Sequence, residues 1–358
     1  MQATTELSSG LTCKQIWHQE DPALRAEINS FLIRERAFGD PEKARRYANN
    51  ALGILQDADG RVVGVSSISK MYVSQVRLYM WNYQMFISKA YRRHGHGIPL
   101  FEQDQAYLND LAIRQGGRVD DCVGILAAYQ DKVSHPELER LAVLMPWGMQ
   151  YSGRDLQGYP VRLYYFPGAD INGPSPDPAQ AARVQELPPS DLQFEWVWSQ
   201  NNPVVQEEVM AFWAQHRALP DGIDLQQRAK QVCMCMRDPQ GKLIGVASTG
   251  QIRLQQLQMT LLNYRTFVAP EWRRHHGAME MMLRVLDRFD EISENGLVDG
   301  CSGVMVALQN TGVQSTRTAC YWPSSRMVLV SQTQQGVPVR VRYFPGAEIP
   351  DKRPVPQE

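Results

Sequence analysis

Residues 90–100 read AYRRHGHGIPL, with two arginines, two histidines and two glycines in the six positions from Arg92 to Gly97. Arg92 and Arg93 bring positive charge. Gly95 and Gly97 bring backbone that can take a positive φ and approach a ligand closely, because no side chain covers it. Between the C-terminal end of a strand and the first turn of a helix, such a segment binds anions: the first N–H groups have no partners inside the helix and sit at the positive end of its dipole. Pro99 is harmless there, since its missing N–H would have had no acceptor. The chemistry this spacing suits is capture of a phosphate or pyrophosphate. A second cluster, Cys233 and Cys235 in QVCMCM, has the CxC spacing of some metal sites, and on a regular strand the two thiols would share one face. No neighbouring Cys or His pair completes four ligands, so these two and Cys13, Cys122, Cys301 and Cys320 are expected to be buried free thiols.

The flanking segments have the patterns this placement needs. VRLYMWNYQMFIS, from about 76 to 88, is rich in aromatic and β-branched residues and reads as a long strand whose side chains pack a core. A helix is expected from about 98 to 115. Upstream, CKQIW reads as a short strand, and PALRAEINSFLIRER places Leu24, Ile28, Phe31 and Leu32 at helical spacing behind a first-turn proline. A second helix is expected at 41–50, and ALGILQDADGRVVGVSSI reads as strand, glycine turn, strand. Downstream come the strand CVGILAAY, a helix at HPELERLAVLM and a hairpin ending in VRLYYFPG.

The whole set occurs twice. Residues 13–97 align without a gap to residues 194–278, and the identities include Trp17/Trp198, Phe31/Phe212, Gly60/Gly241, Asn82/Asn263, Tyr83/Tyr264 and Arg92/Arg273. The match resumes with DCVGILAAYQ against GCSGVMVALQ and GYPVRLYYFPGADI against GVPVRVRYFPGAEI. A period of this length is a domain and not a solenoid repeat. The proline-rich segment ADINGPSPDPAQAARVQELPPSD reads as a semi-rigid linker, which divides the chain into domains at 1–180 and 181–358.

Bulk properties agree with a globular chain of two domains: 358 residues, 43% hydrophobic and 21% charged. Lysine and arginine total 37 against 38 acids, so no whole-molecule field favours nucleic acid or an anionic membrane. The start lacks the basic flank and apolar stretch of a signal peptide, and no apolar run has spanning length, so a cytoplasmic location without membrane contact is expected.

Arg92-x-x-Gly95-x-Gly97 after ISKAY resembles the Arg/Gln-x-x-Gly-x-Gly/Ala loop of the Gcn5-related N-acetyltransferase (GNAT) superfamily, and VAPEWRR in the second half is similar to that family's lead-in to the loop. The element order of each half resembles a GNAT domain. The resemblance implies an α/β (α+β) fold of two tandem GNAT-like domains, each a mixed, mostly antiparallel central sheet flanked by helices. It also implies that acetyl-CoA or another acyl-CoA is the cofactor, and that the acceptor is an amine of a small molecule or peptide. Backbone amides from His94 to Ile98, through Gly95, His96 and Gly97, would hold the pyrophosphate, with Arg92 and Arg93 adding charge. Main chain at Phe86 and Ile87 would pair with the pantetheine arm, and the thioester would lie beside Tyr129 and Gln130 where two strands splay.

The second half departs from the pattern. His276 and Ala278 align with Gly95 and Gly97, and Gly277 falls one residue late, so the first half is expected to hold the cofactor. Family members use a tyrosine near the end of the fourth helix as general acid. Tyr321 in ACYWPS stands about there in the second half, whereas the first half has Leu144, leaving Tyr129 or Tyr151 to supply a hydroxyl. Asp120, Asp121, His135, His94 and His96 are the candidate bases of the first half, with Asp120 and Asp121 reading better as a strand-start turn. Two other functions fit the duplication: a Fem-like transferase using aminoacyl-tRNA, which the near-zero charge disfavours, and a non-catalytic paired scaffold.

Overall fold

An aspartate followed by a proline opens both early helices. In the computed structural model, which describes residues 4–7, 10–92, 95–128, 140–145, 147–184, 187–188, 190–273, 276–308 and 317–350, Asp21 caps α1 (Pro22–Arg34) by accepting from the Leu24 N–H. Asp40 caps α2 (Pro41–Asn49) by accepting from the Glu42 N–H. Each helix buries one stripe: Ile28, Phe31 and Leu32 on α1, and Ala44, Tyr47 and Ala48 on α2.

The sheet they cover has nine strands: β1 (Thr4–Glu6), β2 (Thr12–Gln15), β3 (Ala51–Gln56), β4 (Val62–Val73), β5 (Leu78–Ile87), β6 (Gly124–Ala128), β7 (Val143–Leu144), β8 (Met149–Arg154) and β9 (Pro160–Tyr165). Their spatial order is β1-β2-β3-β4-β5-β6-β9-β8-β7. Every neighbouring pair is antiparallel except β5 and β6. A parallel pair needs a long crossover, and α3 (Gly97–Arg114) supplies it. The α1–α2 layer packs Ile28, Phe31, Leu32 and Tyr47 on Ile54 and Val65. The second core packs α3 residues Phe101, Leu108 and Ala112 against Trp81, Tyr83 and Ile125. A short helix, α4 (Pro178–Ala181), follows.

The second unit repeats the plan with eight strands, β10 (Gln193–Trp196), β11 (Val232–Arg237), β12 (Leu243–Leu254), β13 (Met259–Val268), β14 (Gly303–Ala307), β15 (Tyr321–Trp322), β16 (Met327–Gln332) and β17 (Pro338–Tyr343). Their order is β10-β11-β12-β13-β14-β17-β16-β15. The parallel pair falls at the same place, between β13 and β14. Its helices are α5 (Pro203–His216), α6 (Leu225–Ala229) and α7 (Gly277–Ile292). The stripe on α5 buries Val205, Val209, Phe212 and Trp213. Even the hairpin turns match: Asp57 accepts from the Asp59 and Arg61 N–H groups, as Asp238 does from Gln240 and Lys242. The fold class is therefore two mixed, mostly antiparallel sheets with flanking helices. The compact units divide at Ala182 and Arg183, with Thr318–Cys320 grouping with the first.

Two sequence expectations change. The described end of the fourth-helix segment, with Leu144, is the edge strand β7, paired through Leu144 to Met149 across a turn in which Gly148 has φ +66°. Tyr321 is likewise a strand residue, opposite Val328. A short apolar run carries no periodicity that separates a strand from a helix end. Cys233 and Cys235 do not share a face: the register shifts between Val232 and Met234. This bulge turns Cys233 into the α7-side core and Cys235 into the α5-side core. All six cysteines are buried thiols outside any disulfide, and no group of three metal-ligating side chains occurs among the described residues. No described helix is long and apolar enough to cross a membrane.

Candidate functional site

β5 outruns β6. Among the described residues the two strands pair only at Trp81 with Ile125 and at Asn82 with Leu126, after which β5 continues to Ile87 with no described strand along that edge. The Tyr79 carbonyl accepts from Val123, and the Ser88 N–H donates to the Val63 carbonyl. Strand alternation therefore turns the backbone groups of residues 83, 85 and 87 toward β6 and those of 84 and 86 toward β4. Phe86, expected to offer its main chain, faces β4 opposite Val65. Ile87 faces the open edge, but its carbonyl already accepts from Arg92 Nε at 2.7 Å. Tyr83 adjoins the last paired residue, so Met85 is the edge residue left beyond it, a position that sequence pattern alone did not single out.

A cavity of about 570 Å³ fills this gap. Phe38, Lys43 and Tyr47 wall it on the α1–α2 side, Gly97, Ile98 and Phe101 on the α3 side, and Ala127, Ala128, Trp147 and Arg162 across from β5. Of the residues expected at the cofactor, Phe86, Ile87, Arg92, Gly95, Gly97 and Ile98 line it. Its charged lining residues among the described residues, Lys43, Arg92 and Arg162, are all cations.

The loop contributes shape as well as charge. Gly95 has φ +68°, and a Cβ there would meet nothing among the described residues nearer than Ile98 Cδ1 at 4.0 Å. Gly97 is the first residue of α3, and a Cβ there would fall 2.6 Å from Met85 Cε and 3.1 Å from Ile87 Cδ1. With glycine there, the helix mouth sits against the Met85 and Ile87 side chains, which a larger residue would have to displace. The Gly95 and Gly97 N–H groups make no hydrogen bond among the described residues, whereas the Ile98 N–H donates to the Gly95 carbonyl. Ile98 thus adds its side chain to the wall and not its amide to the cradle. His96 stands at the N-cap of α3, its side chain makes no capping bond to the first turn, and it is not among the lining residues of the cavity. Arg92 lies with its guanidinium carbon 4.9 Å from the Phe86 ring centroid. Arg93, His94, Tyr129, Gln130 and His135 lie outside the described residues.

One buried pair under the cavity was not anticipated. Tyr83, on the cavity wall, donates from its hydroxyl to Asp104 Oδ2 at 3.0 Å, and Asp104 is fully buried on α3. Burial pushes the Asp104 carboxyl up to about 7, against the opposing help of the Ser66 and Tyr83 hydroxyls. The same burial and the Asp104 charge hold the Tyr83 phenol well above its ordinary range. Gly53 makes room for the acid, since a Cβ there would lie 2.5 Å from Asp104 Oδ1. The signal was present in the sequence: Asp104 interrupts the apolar stripe Leu100, Phe101, Leu108 and aligns with Val285.

The remaining candidates lie elsewhere. Asp120 and Asp121 form the left-handed turn before β6, at φ 47° and 66°, with Asp121 paired to Lys70. Tyr151 is buried on β8 and is not part of the cavity wall. Tyr321 is half-buried, and desolvation raises its phenol against the opposing charges of Arg326 and Arg342.

In the second unit, Arg273 repeats the Arg92 clamp, donating to the Val268 carbonyl at 3.0 Å with its guanidinium over Phe267. His276 keeps the left-handed backbone of Gly95, at φ 31°. The surrounding side chains differ. Arg228 and Arg265 replace Tyr47 and Gln84, and Arg340 packs over Trp322 at 4.4 Å. A hollow of about 20 Å³ on this unit lies at Val197, Val205 and Val232, away from the β13 edge.

No family model and no curated protein matches the chain. Solved structures of GNAT acetyltransferases do. The acetyltransferase of the GNAT family from Streptococcus pneumoniae is 14% identical over 44% of this chain and 99% of its own, with a TM-score of 0.29. The putative acetyltransferase yncA from Salmonella typhimurium, with its cofactor acetyl-CoA, is 11% identical over 44% of this chain and 95% of its own, at 0.32. YhbS from Escherichia coli, in complex with CoA, is 12% identical over 44% and 85%, at 0.29.

Proposed function

We propose that this chain is an acyl-CoA-dependent N-acyltransferase that seats its co-substrate in the first unit and acylates an amine of a small molecule or peptide. The observation that carries this reading is the cavity along the far end of β5, which ends at a glycine-cleared helix mouth and whose charged walls, among the described residues, are cations. The residues fit the group: Gly95 and Gly97 leave a bare cradle for a diphosphate, Met85 offers main chain to an extended amide-bearing arm, and Lys43 and Arg92 supply charge. When bound, an acyl-CoA supplies an activated acyl carbon as a thioester. The chain's own part is to hold that carbon against the amine in the splay, where positioning and the exclusion of water lower the barrier.

Titration calorimetry with acetyl-CoA tests the reading and its location together. Arg92→Ala is expected to weaken binding about 10-fold, the scale of one charge-assisted hydrogen bond, while Arg273→Ala leaves the affinity unchanged. The reverse pattern would move the site to the second unit, and no binding by the wild-type chain would end the reading.

A further inference from the structure

Asp104 is a carboxyl that a merely structural core would not need. It is fully buried, and the second unit builds the same sheet and helix with apolar residues at the aligned positions: Val285 for Asp104, Ala247 for Ser66 and Met234 for Gly53. Tyr264 still stands where Tyr83 does, and its buried hydroxyl has no hydrogen-bond partner among the described residues. The acid, its hydroxyl neighbour and the glycine that makes room for it therefore occur together, and only in the unit with the large cavity. Tyr83 connects them to that cavity, since it lines the wall and donates to Asp104 Oδ2.

Resting on the acyltransferase reading above, we propose that Tyr83 and Asp104 form a proton relay beneath the acyl cleft. As the acceptor nitrogen uses its lone pair to bond the thioester carbonyl carbon, its proton passes to Tyr83 Oη while the Tyr83 proton passes to Asp104 Oδ2. As the carbon–sulfur bond breaks, its electron pair leaves with sulfur, Asp104 returns the proton to Tyr83, and Tyr83 passes one to the departing thiolate. The balance is an amine and a thioester giving an amide and a thiol, with no other reactant. Tyr83 is the catalytic residue, and Asp104 acts through it.

The groups facing Asp104 suit the task. Cys13 on β2, Tyr47 on α2, Ser66 on β4 and Tyr83 on β5 surround it, and among the described residues no cation contributes to its charge environment. Burial without a counter-charge leaves the carboxyl titrating at about 7, where a base can both take and return a proton.

The test uses the full chain with acetyl-CoA and benzylamine as the probe acceptor. Asp104→Asn is expected to lower kcat about 100-fold and to remove the limb of the pH–rate profile near 7, with acetyl-CoA affinity by calorimetry unchanged. Tyr83→Phe should match it, and the double variant should be no slower than either single one, as for residues that act as a unit. Should Asp104→Asn fold poorly, Asp104→Val carries the pair that the second unit already accommodates. Independent of turnover, the infrared difference between wild type and Asp104→Asn should show a carboxyl band that titrates near 7. A band titrating in the ordinary carboxylate range, or an Asp104→Asn variant that keeps the limb and the rate, overturns the relay while acetyl-CoA binding leaves the acyltransferase reading standing. A wild-type chain that binds no acetyl-CoA removes both.

Discussion

Gly95→Glu is expected to weaken acetyl-CoA binding at least 100-fold while leaving the first unit folded. Among the described residues, nothing lies nearer to a Cβ at this position than Ile98 Cδ1 at 4.0 Å, so the added side chain clashes with none of them. Its cost to folding is the left-handed backbone alone, about 1–2 kcal/mol for a residue with a Cβ. Its effect on the ligand is larger. A carboxylate beside a phosphate, at about 4 Å, is repelled by about 1 kcal/mol in water and about 4 kcal/mol at a protein surface, so a loss of about 2.7 kcal/mol, the equivalent of 100-fold, falls inside that range. The glutamate would also neutralise the cationic walls of Lys43 and Arg92. Calorimetry beside a thermal melt separates the two effects. An unchanged affinity in a folded variant would mean that the helix mouth holds no diphosphate.

Asp104 should also leave a mark on stability. Its carboxyl titrates at about 7 in the folded chain against 3.8 when unperturbed. Between those values the folded state keeps the proton and the unfolded chain releases it, so the unfolded state binds fewer protons. The free energy of unfolding must then fall as pH rises through this window and level off above 7. The stabilisation is fully present below pH 4, and its loss amounts to about 4 kcal/mol at about 1.36 kcal/mol per pH unit. Urea titrations of the first unit's transition at pH 4, 5.5 and 8 should show this decline in the wild type relative to Asp104→Asn, whose side chain does not titrate. Parallel curves for the two proteins would mean that Asp104 ionises as an exposed aspartate does.

What the sequence disclosed follows from how local the signals were. The duplication fixed two units because a domain-length period is visible without structure, and the proline-capped helices and glycine-turned hairpins are written in four or five adjacent residues each. The anion loop was legible for the same reason: Arg92, Gly95 and Gly97 are neighbours. The cavity was not, because it depends on where β6 stops pairing with β5, a matter of register between strands forty residues apart. That register also decides which backbone faces the gap, and it replaces Phe86 with Met85 at the open edge. The Cys233–Cys235 pair misled because a bulge adds one residue to β11, which simple alternation does not foresee. Leu144 and Tyr321 misled because a two-residue edge strand leaves no period to read. Asp104 was legible in principle, as an acid on an apolar helix stripe, but its meaning needed the hydroxyl that β5 brings to it.

His276 holds the bend of Gly95 with a Cβ attached. The corner is therefore imposed by the strand and helix it joins and not by the residue that finds it comfortable. A duplicated copy can accordingly shed the occupant of a corner and keep its outline, so resemblance in shape between two copies is a poor guide to whether both still work. The informative comparison is among the few side chains that differ at matching places, and in this chain those are where the two copies part ways.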